Sequence, residues 1–163
     1  MGRLLSGFLT FLLLAMLAGG GLLVWGYAQF TRPGPLLTET ALVIPRGSGV
    51  EGIARRLEQA GILRYPELFM AAVKLKGVSG ALKAGEYAFK PGISPREVMA
   101  LLQSGETVVR RLTIAEGLTV RQIAAQLAAV EGLDGDPAPL PPEGALLPET
   151  YHFSYGDERA DIL

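Results

Sequence analysis

Between Arg3 and Arg32 the chain runs for 28 residues, Leu4 to Thr31, without a formal charge. No other feature limits the fold so firmly. Within it Phe8 to Ala28 is almost wholly apolar, and roughly 20 such residues cross the ~30 Å hydrocarbon core of a bilayer. Trp25 and Tyr27 stand at one end, where amphipathic rings favour the membrane–water boundary. The reading is a membrane-spanning helix over residues 8–28, a cytoplasmic tip at 1–7 and an exit linker at 29–40. Two prolines, Pro33 and Pro35, stiffen that linker and stop the helix. Ala15 and Ala18-Gly19-Gly20 are small enough for a signal peptidase, but the apolar run continues past them to Trp25. A signal peptide's apolar region is shorter, about 7–15 residues, so the helix reads as a retained single-pass anchor. Arg3 and the free amino terminus on the short side place that terminus in the cytoplasm.

Of the 15 Lys/Arg, Arg3 and Arg32 flank the apolar run, which leaves 13 against all 16 Asp/Glu and a formal −3 beyond it. A mildly acidic body has no clustered basic face for nucleic acid, so DNA and RNA binding are set aside. There is no cysteine, hence no disulfide framework and no thiolate metal site. The single His152 cannot build a zinc site alone. Neither a metal nor a cofactor is implied. An exported body without disulfides must be held by its core, and about 130 residues can bury enough surface for that.

One phrase occurs three times behind the anchor: a Gly, a small helix-capping residue one or two positions on, an aliphatic residue at Gly+6 and a Leu at Gly+10. The copies are Gly47-Ser48…Ile53…Leu57, Gly92…Ser94…Val98…Leu102 and Gly117…Thr119…Ile123…Leu127. Each reads as a turn opening a short amphipathic helix, with capping boxes at Ser48–Glu51, Ser94–Glu97 and Thr119–Gln122. A further helix starts at Pro66 and offers Leu68, Phe69, Ala72, Val73 and Leu75 for packing. Strands are predicted at Ala41–Ile44, Glu86–Phe89 and Thr107–Ile114, the last with Arg110 and Arg111 on opposite faces. The order is strand–helix–helix–strand, then helix–strand–helix, an α+β arrangement over residues 41–131. Residues 132–143 are rich in proline and glycine and read as a linker. Residues 144–163 begin something new, too short for a domain of its own. Leu146, Leu147, Tyr151, Phe153 and Tyr155 are therefore expected to be exposed or loosely docked.

The element order at 41–89 is that of a LysM module. The wider pattern is more specific: Ile44-Pro-Arg-Gly47…Ile53-Ala54…Leu57…Gly61-Ile62, Leu82-Lys-Ala-Gly-Glu-Tyr87, Pro91-Gly-Ile-Ser94, Ile114-Ala-Glu-Gly-Leu-Thr119 and Leu147-Pro-Glu-Thr-Tyr151. Behind a membrane helix and in that order, these resemble the YceG-like endolytic murein transglycosylases of the bacterial inner membrane. The resemblance implies a LysM-like extracytoplasmic module, the start of a transglycosylase domain at 144–163, and peptidoglycan glycan strands as substrate. It also implies partners among the inner membrane and the peptidoglycan synthases. The family's reaction leaves 1,6-anhydro-N-acetylmuramic acid ends, and a Glu acts as the acid. That Glu lies C-terminal to the Pro-Glu-Thr-Tyr segment, beyond Leu163, so no catalytic residue is expected in this chain, which should be silent alone.

Glu149, Thr150 and Tyr151 are the candidate substrate-binding residues, because in the family that segment lies near the active site. The plain alternative is a turn in which Pro148 fixes φ and Glu149 caps an amide. His152 lacks a Ser or Cys nucleophile motif and reads as structural. Tyr65, Phe69, Tyr87 and Phe89 are the aromatics placed to form a sugar platform, though their spacing suits core packing for at least two. Arg55-Arg56 and Arg110-Arg111 read as solvated pairs. A second reading of the whole is a non-enzymatic, membrane-tethered wall-binding or adaptor protein.

Overall fold

The computed structural model describes residues 2–136 and 139–162, with side chains placed from Gly7 onward. Met1, Pro137, Ala138 and Leu163 lie outside the described residues, so the tip, the linker and the C-terminal segment are each seen without them. The first element, α1, is Gly2–Thr31. Its stretch Gly7–Thr31 is long and apolar enough to cross a membrane, and its apolar window is wholly unburied by the rest of the chain. The helix continues three residues past Ala28. The Thr31 hydroxyl donates to the Tyr27 carbonyl at 3.0 Å and the Arg32 amide to Ala28 at 3.0 Å, and Pro33 then forbids another turn.

Residues 29–40 do not swing free. Phe30 and Leu36 are buried in the first core. The Gly34 amide donates to the carbonyls of Gly92 and Ile93, at 3.2 and 3.1 Å, and the Gly92 amide returns a bond to Leu36 at 2.8 Å. Trp25 meets Tyr65 edge-on at 5.6 Å. The base of the helix is thus packed onto the body.

That body has two cores. In the first, β1 (Thr40–Ile44) and β2 (Gly85–Phe89) pair antiparallel, from Thr40 opposite Phe89 to Ile44 opposite Gly85. Helices α2 (Val50–Gln59), α3 (Pro66–Leu75) and α4 (Pro95–Ser104) cover the pair. Ile44, Leu57, Phe69, Val73, Tyr87, Phe89, Val98 and Leu102 are buried together, and each such side chain contributes about 1.5–3 kcal/mol through removal from water. Leu75, expected to pack, is 88% exposed; it sits at the last position of α3, turned from the Phe69–Val73 stripe. In the second core, β3 (Val109–Thr113) and β5 (Thr150–Ser154) pair antiparallel over α5 (Val120–Ala128). The short strands β4 (Leu133–Asp134) and β6 (Asp157–Glu158) run parallel beside them, and a 3₁₀ turn follows at Arg159–Asp161. Leu112, Ile114, Ile123, Leu127, Leu133, Phe153 and Ile162 are buried there.

Two expectations change. Residues 133–134, read as the start of a linker, form a strand with Leu133 buried. The segment 144–163 is not loosely attached: β5 fills the free edge of β3, and Phe153 is 5% exposed. A lone β3 would leave unpaired amides and an apolar face of α5 in water, and β5 satisfies both. Leu146 and Tyr151 also pack on this core, while Leu147 and Tyr155 remain exposed.

The threefold phrase is real and more regular than the sequence suggested. Each Gly has positive φ: 77° at Gly47, 70° at Gly92 and 82° at Gly117. In each copy the helix cap stands at Gly+2: Gly49, Ser94 and Thr119. Both reciprocal boxes form at Ser94–Glu97 and Thr119–Gln122. The third does not. Ser48 lies one residue before the cap of α2, its amide bonded to Pro45 at 3.3 Å, and the cap Gly49 has no side chain to accept a bond. Glu51 is therefore one position too early to close a box.

Candidate functional site

Two regions carry the chemistry worth weighing: an open groove beside β2, and the Glu149–His152 segment on β5. The groove exists because β2 has a strand on one side only. On its other side the Val108 amide donates to the Glu86 carbonyl at 2.7 Å, and past that bond the chain diverges. The resulting groove, of about 740 Å³, is walled by Ala88 and Lys90 from the strand, Glu97, Ala100 and Leu101 from α4, and Glu106–Val108.

Glu97 and Glu106 are the carboxylates in that wall, and Glu97 is the one held by hydrogen bonds. The Ser94 hydroxyl and amide both donate to it, at 2.6 and 2.8 Å, and hold its carboxyl below the usual glutamate range. A group kept ionised this way is the reverse of a proton donor. It caps α4.

On β5 the backbone fixes the segment. The Ile114 amide donates to the Glu149 carbonyl at 3.0 Å, extending the β3–β5 ladder by one bond. Thr150 lies opposite Thr113, their hydroxyls 3.0 Å apart. The Tyr151 hydroxyl donates to the Leu147 carbonyl at 2.9 Å, which ties the side chain back to the segment before the strand. Glu149 and Thr150 are exposed and Tyr151 is half-buried. The three sit together on one strand end, apart from the groove, whose walls do not include them. No apolar wall encloses the Glu149 side chain, which lies at the surface. His152 is exposed, opposite Arg111 in register; it is not a core histidine.

Of the four aromatics proposed as a sugar platform, Phe69, Tyr87 and Phe89 are fully buried. The Tyr87 hydroxyl donates to the Lys83 carbonyl at 2.9 Å, and burial raises its pKa. Tyr65 alone of the four keeps an exposed ring, and it lies against Trp25 of α1. Among the described residues no group of three or more His, Cys, Asp or Glu is placed to hold a metal ion.

A pair that the sequence reading missed joins the two cores. Arg110, read as half of a solvated pair, donates from Nε and Nη2 to both oxygens of Glu86, at 2.7 and 3.0 Å. Glu86 is 8% exposed. Its bonds raise the pKa of Arg110. Strand alternation held the signal, since two adjacent arginines on opposite faces send one of them inward, where it needs a carboxylate. Arg46 adds a second stitch, donating to the Gly156 carbonyl at 2.7 Å. Arg55 behaves as read: exposed, 3.6 Å from Glu58.

The structure defines a class: a helix long and apolar enough to span a membrane, packed at its base onto a mixed helix-and-sheet body with two cores. Comparison with known proteins narrows it. The model of the YceG-like family matches residues 42–163. The endolytic murein transglycosylase of Streptococcus pneumoniae (serotype 2, strain D39) is 36% identical over 95 residues, covering 55% of this chain and 17% of that protein. That of Bacillus subtilis (strain 168) is 35% identical over 92 residues, covering 56% and 25%. A crystal structure of a yceG-like protein from Listeria monocytogenes aligns with a TM-score of 0.41 and 24% identity, over 71% of this chain and 48% of that one. The chain belongs to the YceG-like family. Its matched part spans 17–25% of the length of these curated relatives.

Proposed function

We propose that this chain is the anchoring and strand-positioning part of an endolytic murein transglycosylase. The observation that carries the reading is the family match over residues 42–163, with two relatives of that name at 35–36% identity. In this reading α1 crosses the bacterial inner membrane once with its amino terminus in the cytoplasm, and residues 41–131 lie outside it. Their first core is the LysM-like module, and their β3 and α5 share the second core with residues 144–163. The module holds nascent peptidoglycan strands, near the synthases that make them. Residues 144–163 open the catalytic domain, and Glu149, Thr150 and Tyr151 shape one edge of its cleft.

The reaction is a lyase step. A glutamic acid protonates the oxygen linking N-acetylmuramic acid to N-acetylglucosamine, that bond breaks, and the muramyl 6-hydroxyl closes on C1 as it loses its own proton. No water is consumed, so the product is a 1,6-anhydro end and not the product of two-carboxylate hydrolysis. The acid is a residue beyond Leu163. Exposure of Glu149 and the ionised state of Glu97 support that assignment.

The test is to incubate the detergent-solubilised chain with sacculi and to read anhydromuropeptides by mass spectrometry. None should appear. Release by this chain alone would sink the assignment of the acid. A protein continued to the length of the relatives should release them, and Glu149→Gln with Tyr151→Ala should lower its kcat/KM by about tenfold, some 1.4 kcal/mol. Inactivity of the continued protein, with strand binding retained, would establish the adaptor reading instead.

A further inference from the structure

The way α1 meets the body fixes which surface of the body faces the bilayer. Arg3 and Trp25 are 22 positions apart, about 33 Å along a helix at ~1.5 Å per residue. The hydrocarbon core is ~30 Å thick. With Arg3 at one headgroup layer, Trp25 stands in the other, where tryptophan is favoured. Trp25 is 5.6 Å from Tyr65 in an edge-on pair. One residue on, a Cβ at Gly26 would stand 3.7 Å from the Leu68 side chain. Four residues further, Phe30 carries the Lys76 ammonium 6.0 Å above its ring. Helix α3 therefore climbs beside α1, beginning at the depth of Trp25 and ending at that of Phe30. Its first residues lie at the membrane boundary.

The residues there suit that layer. Tyr65 is 38% exposed, with a ring to lay among the lipids and a hydroxyl to leave in water. Arg64 is exposed and, among the described residues, makes no hydrogen bond or ion pair. Its stem can lie along apolar surface while the guanidinium reaches a phosphate. Pro66 opens α3 without needing a partner for an amide. Glu67 is the opposing charge on the same turn, and Arg32, on the membrane helix's own exit, offsets it. A crevice of about 80 Å³ opens between Gln29, Pro33, Arg64 and Tyr65.

We infer that the Arg64–Leu68 turn is a second membrane contact, a foot in the headgroup layer of the bilayer that α1 crosses. Tyr65 sits there beside Trp25, and Arg64 binds lipid phosphate. Two contacts, one spanning and one interfacial, hold the body at a single tilt. The inference rests on α1 spanning the bilayer.

The chain has no cysteine, so single nitroxide labels can be placed without background. Labels at Leu13→Cys, Glu67→Cys and Arg121→Cys are introduced into the full chain in vesicles of phosphatidylcholine and phosphatidylglycerol. Accessibility to oxygen and to an aqueous nickel chelate gives the depth of each. The expected order is Leu13 deepest, Arg121 in water, and Glu67 between them, with nickel access several-fold below that of Arg121. A buried Leu13 label with Glu67 as open to nickel as Arg121 overturns the foot and leaves the span intact. A water-exposed Leu13 label overturns both. Adding Arg64→Glu should raise nickel access at Glu67→Cys several-fold, and no change would remove Arg64 from the contact. A Trp25→Phe/Tyr65→Trp chain checks the geometry without a label: quenching by brominated lipids supports the foot, and quenching by iodide alone counts against it.

Discussion

Two pairs of residues carry stability arguments with a definite sign. Ser94 and Glu97 exchange bonds at the start of α4, and the hydroxyl and amide of Ser94 keep Glu97 more acidic than an ordinary glutamate. A depressed folded pKa contributes stability above the unfolded value, and that contribution is lost as the pH falls through the folded one. Denaturation of the wild type should thus show an acid loss, through and below about pH 4, that Glu97→Gln lacks. Ser94→Ala should cost ~1 kcal/mol at neutral pH, read by the urea midpoint in detergent. Arg110 and Glu86 behave differently, because Glu86 is buried. Arg110→Met leaves that carboxylate without its two donors and should cost about 1–3 kcal/mol. Adding Glu86→Gln should restore part of the loss; a double variant as unstable as the single one would mean the pair is not the cause.

At the scale of elements, the helices and most strands could be read from the chain because each repeats one local device. The buried residue three before the glycine (Ile44, Phe89, Ile114), the left-handed glycine and the Gly+6 and Gly+10 anchors are all short-range. The failures are long-range. Nothing near Leu133 announces a partner at Asp157, and nothing in Thr150–Ser154 names β3 as its edge. The false capping box at Ser48 is a one-residue error in phase that only the helix start reveals. Phe153→Ala should cost about 3 kcal/mol, removing hydrogen-exchange protection from β3 and β5 together while β1 and β2 keep theirs. Loss of protection in all four strands would show that the two cores unfold as one. Gly34 is a tight joint against backbone, since a Cβ there would collide with the Ile93 carbonyl oxygen and stand 3.1 Å from that of Ile62. Gly34→Ala should destabilise the chain by about 1–3 kcal/mol and loosen the Trp25–Tyr65 contact, seen as lower anisotropy of Trp25 emission. Trp25 is the single tryptophan, so the signal is unambiguous.

For the whole molecule, family membership was legible because the motifs keep their order along most of the chain. The candidate site was less so. Spacing cannot tell a stacking ring from a packed one, and Phe69, Tyr87 and Phe89 prove to be packed. The two ribbons share one further property. In β1–β2 the chain enters at Thr40 and leaves at Phe89, its direct partner; in β3–β5 it enters at Val109 and leaves at Ser154, again its direct partner. Tension between α1 and the C-terminal side therefore loads both strands of each ribbon from the same end. The ladder bonds are met one after another, as in a zipper, and not all at once in shear. A pulling experiment in a nanodisc should accordingly give low, stepwise rupture forces. Were α1 held in a bilayer and the other end pulled, both ribbons would open from that shared end, one bond at a time.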